Sequence, residues 1–335
     1  MCIWRPMPKV AGFGDAHFTS TQPRSRRDNY PEAQAEKFQW ALDYMIANHV
    51  SVGVFPGDVL ESARESHATT QRYIRMFLRA KNMYRGTWEG ELEFLAIPGN
   101  HDTFYHSGDL SKSPLGVLQA AGAIIILTAE PYSIGPVKDN IWVYGAGWEE
   151  SIPVPQDTAA RNILVTHQMV VKEKLFHDQT DFVYGHDLLN KHPEYEVIIS
   201  GDNHHFFTYS TAPEVKKRGM GEKVTKPRRH LINAGSLMRK TSDQQDHEPS
   251  MVIWDSETHS IEQIKLKVAP VSEVYDVASI AQEKAANAEL DAFIEQVRGG
   301  SGSLDLDFLH TLNRLAARPD VEPAVRAAVK LLIPT

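Results

Sequence analysis

The sequence predicts an α/β fold: a four-layer αββα sandwich of two mixed sheets, with a C-terminal helical tail. Three observations carry this expectation. Up to about residue 210, short apolar runs of strand character alternate with segments of helical periodicity. After residue 205 the helical signal stops, and four strand-like runs follow one another. From about Pro270 the pattern turns helical again and is interrupted by Gly-Gly-Ser-Gly-Ser at 299–303.

Taken in order, residues 9–14 read as a short strand running into Asp15. Residues 32–48 read as a helix, because Phe38, Ala41, Leu42, Met45 and Ile46 recur on one face. Residues 50–55 form a β-branched and aromatic strand that stops at Pro56-Gly57-Asp58. A helix over 69–84 carries Tyr73, Phe77 and Leu78 as its apolar stripe, and the strand over 92–97 stops at Pro98-Gly99. Further strands are expected at 123–127, 141–145, 163–166 and 197–200. Those at 206–211, 230–233, 251–254 and 261–268 are expected to run antiparallel and complete the second sheet. Helices are expected at 274–297, 304–317 and 322–333.

With 335 residues, the chain has room for a catalytic domain over 1–269 and a helical module or docking arm over 270–335. The net charge of −8 argues against coating nucleic acid through bulk charge, while leaving room for a local basic groove. Cys2 is the only cysteine, which excludes an intrachain disulfide and a thiolate metal cluster and fits a reducing compartment. No apolar run approaches the roughly 20 residues of a membrane span. The first ten residues, MCIWRPMPKV, lack the apolar stretch of a secretory signal, so a cytoplasmic location is expected.

Five short segments, each just past a strand, carry the chemistry: Asp15-Ala16-His17, Gly57-Asp58, Gly99-Asn100-His101-Asp102, His167 and Gly201-Asp202-Asn203-His204. Strand ends in an open sandwich share one rim. A phosphodiester is a poor electrophile and water near neutral pH a poor nucleophile. Two cations about 3.5–4 Å apart answer both problems by lowering the pKa of a bridging water and neutralising charge on the phosphate. Such a pair needs oxygen and imidazole donors and one bridging carboxylate, for which Asp58 is the natural candidate. Asp15 and His17 converge on one ion, Asn100 and His167 serve the second, and Asp202 and His204 supply one donor to each. His101 is expected to meet the substrate as general acid or charge stabiliser. Asp102 is expected to orient and cationise its imidazole.

These motifs resemble the calcineurin-like metallophosphoesterases, whose pattern is D-x-H, G-D, G-N-H-[DE], a lone His after a strand, and G-H-x-H. The match covers roughly residues 9–255 and is strongest at Pro98-Gly99-Asn100-His101-Asp102. One position departs: Asp202 stands where the pattern has its first His. The resemblance implies one ion held by Asp15, His17, Asp58 and His204, and another by Asp58, Asn100, His167 and Asp202. Mn²⁺ is the expected metal, with Fe²⁺ or Zn²⁺ as alternatives for such donors.

Protein phosphatases of this superfamily carry G-D-x-V-D-R-G, whose Arg grips the phosphoryl group. Here Gly57-Asp58-Val59-Leu60-Glu61-Ser62-Ala63 lacks it. Three segments resemble instead the nuclease subunit of SbcCD-type DNA repair complexes. They are Arg24 to Tyr30, Gly57-Asp58-Val59-Leu60-Glu61-Ser62, and Asn233-Ala234-Gly235-Ser236-Leu237-Met238-Arg239 followed by Glu248 to Trp254. That resemblance implies a DNA substrate and exonuclease activity with some endonuclease activity. It also implies a separate coiled-coil ATPase partner docked through the C-terminal helices; a homodimer is also compatible. Arg24, Arg26, Arg27, Lys216, Lys217, Arg218, Arg228 and Arg229 are the candidate contacts to DNA phosphates, with 212–229 taken as a loop near the metal rim. The rival expectations are a small-molecule or nucleotide phosphodiesterase, and a catalytically weak scaffold that binds DNA or an ATPase.

Overall fold

The computed structural model describes residues 7–104, 108–135, 140–157, 160–175, 179–218, 222–241 and 244–276. Its first half contains β1 (Lys9–Gly12), α1 (Tyr30–Ala47), β2 (Val52–Phe55), α2 (His67–Thr87), β3 (Glu93–Ala96), α3 (Pro114–Ala120), β4 (Ile125–Ile126) and β5 (Tyr132–Ile134). Next come β6 (Ile141–Ala146), β7 (Arg161–Thr166), β8 (Val170–Val171), β9 (Val183–Tyr184), α4 (Gly185–Lys191) and β10 (Val197–Ser200). The second half closes with β11 (Phe207–Ser210), β12 (Glu214–Arg218), β13 (Glu222–Lys226), β14 (His230–Asn233), β15 (Ser250–Asp255), β16 (Ser260–Lys265) and α5 (Val271–Val274).

Two six-stranded mixed sheets result, ordered β16-β15-β1-β2-β3-β4 and β11-β14-β10-β7-β6-β5. Strands β1 to β4 are parallel neighbours in the first, and β6, β7, β10 and β14 in the second. Their apolar patterning explains the stacking. In β7, Ile163 and Val165 point into the layer between the sheets, where they join Val10, Val54 and Leu95, while Leu164 points outward to Leu188 and Leu189 of α4. Period two with both faces buried gives the unbroken apolar runs of the sequence. On the far side, Phe38 of α1 and Phe77 of α2 pack on Phe13 and Phe55 of the first sheet. Ser66 caps α2 by accepting a hydrogen bond from the Thr69 N–H. The four layers are those expected.

The late strands partner differently from expectation. Only β11 and β14 join the second sheet, and β14 runs parallel to β10. The β15–β16 hairpin closes on the first sheet, where β15 pairs antiparallel with β1. Burial decides this: Trp254 is fully buried between the sheets and can reach that layer from the β1 edge. Strand patterning identified these segments but not their neighbours. The segment 212–229, read as a loop, contains the paired strands β12 and β13. The tail helices expected beyond residue 276 lie outside the described residues.

At the end of the sheets away from the strand C-termini, Arg161 fastens the two together. Its Nε and Nη2 donate to Glu196, each at 2.8 Å, and its Nη1 donates to the Ser256 carbonyl at 2.7 Å. Burial raises the Glu196 pKa, but Arg161 and His259 outweigh it and bring it below the usual range. Glu196→Gln is expected to cost about 3 kcal/mol at pH 7 by leaving Arg161 without its counter-charge. A lowered folded-state pKa stabilises above the ordinary carboxylate pKa, and that contribution disappears as pH falls through the folded value. Urea midpoints of wild type and variant should therefore converge in acid; a constant gap from pH 7 downward would contradict this.

Candidate metal centre

The five motifs lie at the C-terminal ends of parallel strands from both sheets: β1, β2 and β3 from one, β7 and β10 from the other. Asp15, His17, Asp58 and His167 are buried, and His204 is partly exposed. The loops are held in conformations that residues with a Cβ seldom adopt: φ is 47° at His17, 46° at Asp58 and 72° at Asp202. Gly57 is required where it stands. Its φ is 104°, and an added Cβ would lie 2.2 Å from His167 Nδ1.

Within this rim, His17 Nε2 lies 3.1 Å from His204 Nε2 and 3.6 Å from Asp58 Oδ2. His167 Nε2 lies 3.6 Å from the same Asp58 oxygen, and His204 Nε2 lies 3.6 Å from Asp15 Oδ2. Asp58 thus stands between the two imidazole groups, as a bridging carboxylate must. Asp202 donates its backbone N–H to Asp15 Oδ1 at 3.2 Å. Its carboxyl pKa is raised by burial and by Asp58, against the pull of His167.

The donor set fits divalent cations. Asp15 Oδ2 is buried with no hydrogen-bond partner, and burial together with Asp58 raises the Asp15 pKa well above its usual range. His167 Nδ1 donates to the Pro56 carbonyl at 2.7 Å, so Nε2 carries the lone pair of the neutral ring. That lone pair faces Asn100 Oδ1 at 3.1 Å, an acceptor opposite an acceptor. The turned-over amide would donate to His167 Nε2 at 3.1 Å and to Asp58 at 3.2 and 3.3 Å. A divalent cation held by these residues would favour the oxygen-inward form. Burial, followed by the neighbouring His17, lowers the His204 pKa to about 4, keeping it a neutral donor.

His101 belongs to the same cluster: one ligand atom each from His17, Asp58 and His101 lies within 4.8 Å of the others. Its Nδ1 is 2.7 Å from the Glu61 carbonyl, leaving Nε2 as the available nitrogen. The expected role of Asp102 is corrected. Its carboxylate is fully buried and accepts the N–H groups of Val59 (3.2 Å), Leu60 (3.0 Å) and Gly99 (3.0 Å). It ties the Asp58 loop to the Asn100 loop, while the Glu61 carbonyl takes the His101 ring.

Four residues that support the site went unassigned in the sequence. Glu61 Oε2 lies 3.2 Å from His17 Nδ1, though not aligned as a hydrogen bond, and Glu61 also pairs with Lys240. Burial pushes its pKa up, but His17 and Lys240 bring it down to about 2. Gln34, fully buried on α1, donates to the carbonyls of Ala16 and His17 at 3.0 and 2.9 Å. Asn203 donates to the Val170 carbonyl at 2.7 Å and accepts from the His205 N–H at 2.9 Å, which fixes the turn that presents His204.

The basic candidates fall elsewhere. Arg26 is buried, bound to Asp28 at 2.6 and 2.8 Å and to the Arg239 carbonyl; it braces the loop rather than facing outward. Arg27 pairs with Asp276 at 2.8 Å. Arg24 is exposed. The strands bearing Lys216, Lys217 and Arg218 leave between Ser210 and His230, the pair at the far end of β11 and β14 from the metal loops. The expectation that this segment, with Arg228 and Arg229, borders the rim is therefore corrected. Arg229 Nη1 donates to the Leu189 and His192 carbonyls at the end of α4.

Imidazole, carboxylate and amide donors converging at the ends of two facing sheets define a metal-dependent phosphoesterase. The calcineurin-like phosphoesterase family model matches residues 8–218, and the chain belongs to that family. Among solved structures it is similar to a dimetal phosphatase from Danio rerio, LOC 393393, at 12% identity and a TM-score of 0.45, over 79% of this chain and 98% of that one. No curated protein sequence matches it significantly. Among the described residues, no helix is long and apolar enough to cross a membrane.

Proposed function

We propose that the chain is a two-metal phosphodiesterase acting on DNA, of the kind formed by the nuclease subunit of SbcCD-type complexes. The observation that carries this reading is the placement of the Asn233–Arg239 segment, the most telling part of that resemblance. It is built into the floor of the metal centre: Leu237 donates its N–H to the Asp15 carbonyl at 3.0 Å, and Ser236 donates to that of His204 at 3.1 Å. Gly14 and Gly235 meet there so closely that a Cβ on Gly14 would lie 1.4 Å from the Gly235 oxygen.

Asp15, His17, Asp58 and His204 would hold one ion, and Asp58, Asn100, His167 and Asp202 the other. When bound, the cations supply Lewis acidity to the phosphate and lower the pKa of water. His101, anchored through Nδ1 on the Glu61 carbonyl, holds or yields a proton at Nε2 beside the ester. The Lys240–Glu61 pair steadies His17 from behind. The same reading assigns residues beyond Pro270 to docking a coiled-coil ATPase.

The test is cleavage of end-labelled linear duplex and circular single-stranded DNA in Mn²⁺, with bis(p-nitrophenyl) phosphate alongside and His101→Ala as control. DNA cutting that the substitution abolishes supports a nuclease. Hydrolysis of the small diester with intact DNA, including after addition of an ATPase partner, favours a nucleotide-sized substrate.

A further inference from the structure

We propose that the cavity beside His101 is a subsite for an aromatic group esterified to the scissile phosphate, with Phe104 as the stacking surface and Arg64 as the phosphate clamp. This rests on the phosphodiesterase reading above but not on DNA being the substrate. The cavity has a volume of about 300 Å³, and Ala63, Arg64, Asn100, His101, Thr103 and Phe104 are among its lining residues. It therefore continues directly from the metal loops through Asn100 and His101.

Its two ends differ in chemistry. The Arg64 guanidinium carbon stands 5.7 Å from the Phe104 ring centroid, a cation over an aromatic face. Arg64 reaches this place from a turn in which its backbone N–H donates to Ser62 Oγ at 3.1 Å. The guanidinium fork matches phosphate oxygens, and the ring offers a sequence-tolerant stacking face. The need for a cation is plain from the neighbours. Asp15, Asp58, Asp202 and Glu61 place carboxylates along the rim. Among the described residues lining the cavity, Arg64 brings a guanidinium that would offset that field for an incoming diester. The volume accommodates an aromatic ring and its linker, including a nucleobase turned out of its stack.

The experiment compares bis(p-nitrophenyl) phosphate with methyl p-nitrophenyl phosphate, which lacks the second ring. Wild-type enzyme in Mn²⁺ is expected to show a lower KM for the aromatic diester. Phe104→Ala and Arg64→Ala should each raise that KM about 5- to 100-fold, while kcat falls less than threefold. The preference for the second ring should collapse in Phe104→Ala and persist in Phe104→Trp. Saturable quenching of the Phe104→Trp fluorescence by p-nitrophenyl phosphate, beyond that of wild type, reports occupancy without turnover. An unchanged preference in Phe104→Ala, a loss confined to kcat, or no added quenching overturns the subsite. If the aromatic diester is cut with a preference that Phe104→Ala removes, and DNA stays intact even with an ATPase partner added, the DNA reading fails and the subsite stands. If DNA is cut and the preference is insensitive to Phe104, the reverse holds.

Discussion

Asp58→Ala is expected to lower diester hydrolysis at least about a thousandfold and to abolish cooperative loading of two metal ions. The reason is positional: one Asp58 oxygen lies 3.6 Å from both His17 Nε2 and His167 Nε2, so its loss removes a donor from both halves of the site. Removing the Asp58 charge should act oppositely on the metal-free fold. Burial, and after it the charge of Asp58, raises the pKa values of Asp15, Asp102 and Asp202, so these buried acids repel one another. Relieving that repulsion in Asp58→Asn should raise the melting temperature in EDTA by about 1–2 °C per kcal/mol recovered. Adding Mn²⁺ should then stabilise wild type strongly and the variant little, because ligand binding to the native state stabilises by mass action. The two melting curves would cross in rank between EDTA and Mn²⁺. A variant that keeps both its Mn²⁺-dependent shift and its turnover would remove Asp58 from the centre.

The candidate ligands were legible because each follows an apolar strand, and parallel strands deliver their C-terminal ends to one edge. That logic gave Asp15, His17, Asp58, Asn100, His167 and His204 a common rim, and the structure brings them together. What a linear pattern cannot encode is which group faces which. Asp102 follows His101 directly, so proximity in sequence suggested a partner for the imidazole. Its side chain turns to three backbone donors because loops forced into left-handed backbone leave N–H groups that need acceptors. Gln34 carried a readable signal: an amide on the apolar face of α1, four residues before Phe38, where a polar group must satisfy something buried. Glu61 and Lys240 meet across 179 positions, and no local feature announces that pair. The basic segment at 212–229 misled for a related reason. It follows the His204 motif closely in sequence, but β11 runs away from the metal loops before the hairpin begins.

Asp102→Ala is expected to destabilise the protein by about 3 kcal/mol or more, a larger effect on folding than removal of any single metal ligand. Three buried N–H groups, those of Val59, Leu60 and Gly99, would lose the acceptor that Asp102 provides, at about 1–3 kcal/mol each. Part of that cost is offset, since burial and the charge of Asp58 already push the Asp102 pKa up to about 7. Asp102→Asn separates the two accounts of this residue. Its amide oxygen can still accept from one or two of the donors, but its NH₂ group confronts the rest, so stability should fall by an intermediate amount. Metal affinity should fall with it, because the Asp58 and Asn100 loops are no longer tied together. A carboxylate that instead worked by orienting His101 would behave differently. Asp102→Asn would then leave the urea midpoint near wild type and displace the pH–rate profile through the imidazole. Denaturation and pH–rate measurements on the one variant therefore decide between a tie holding two ligand loops and a partner for the proton donor. The three N–H contacts favour the tie.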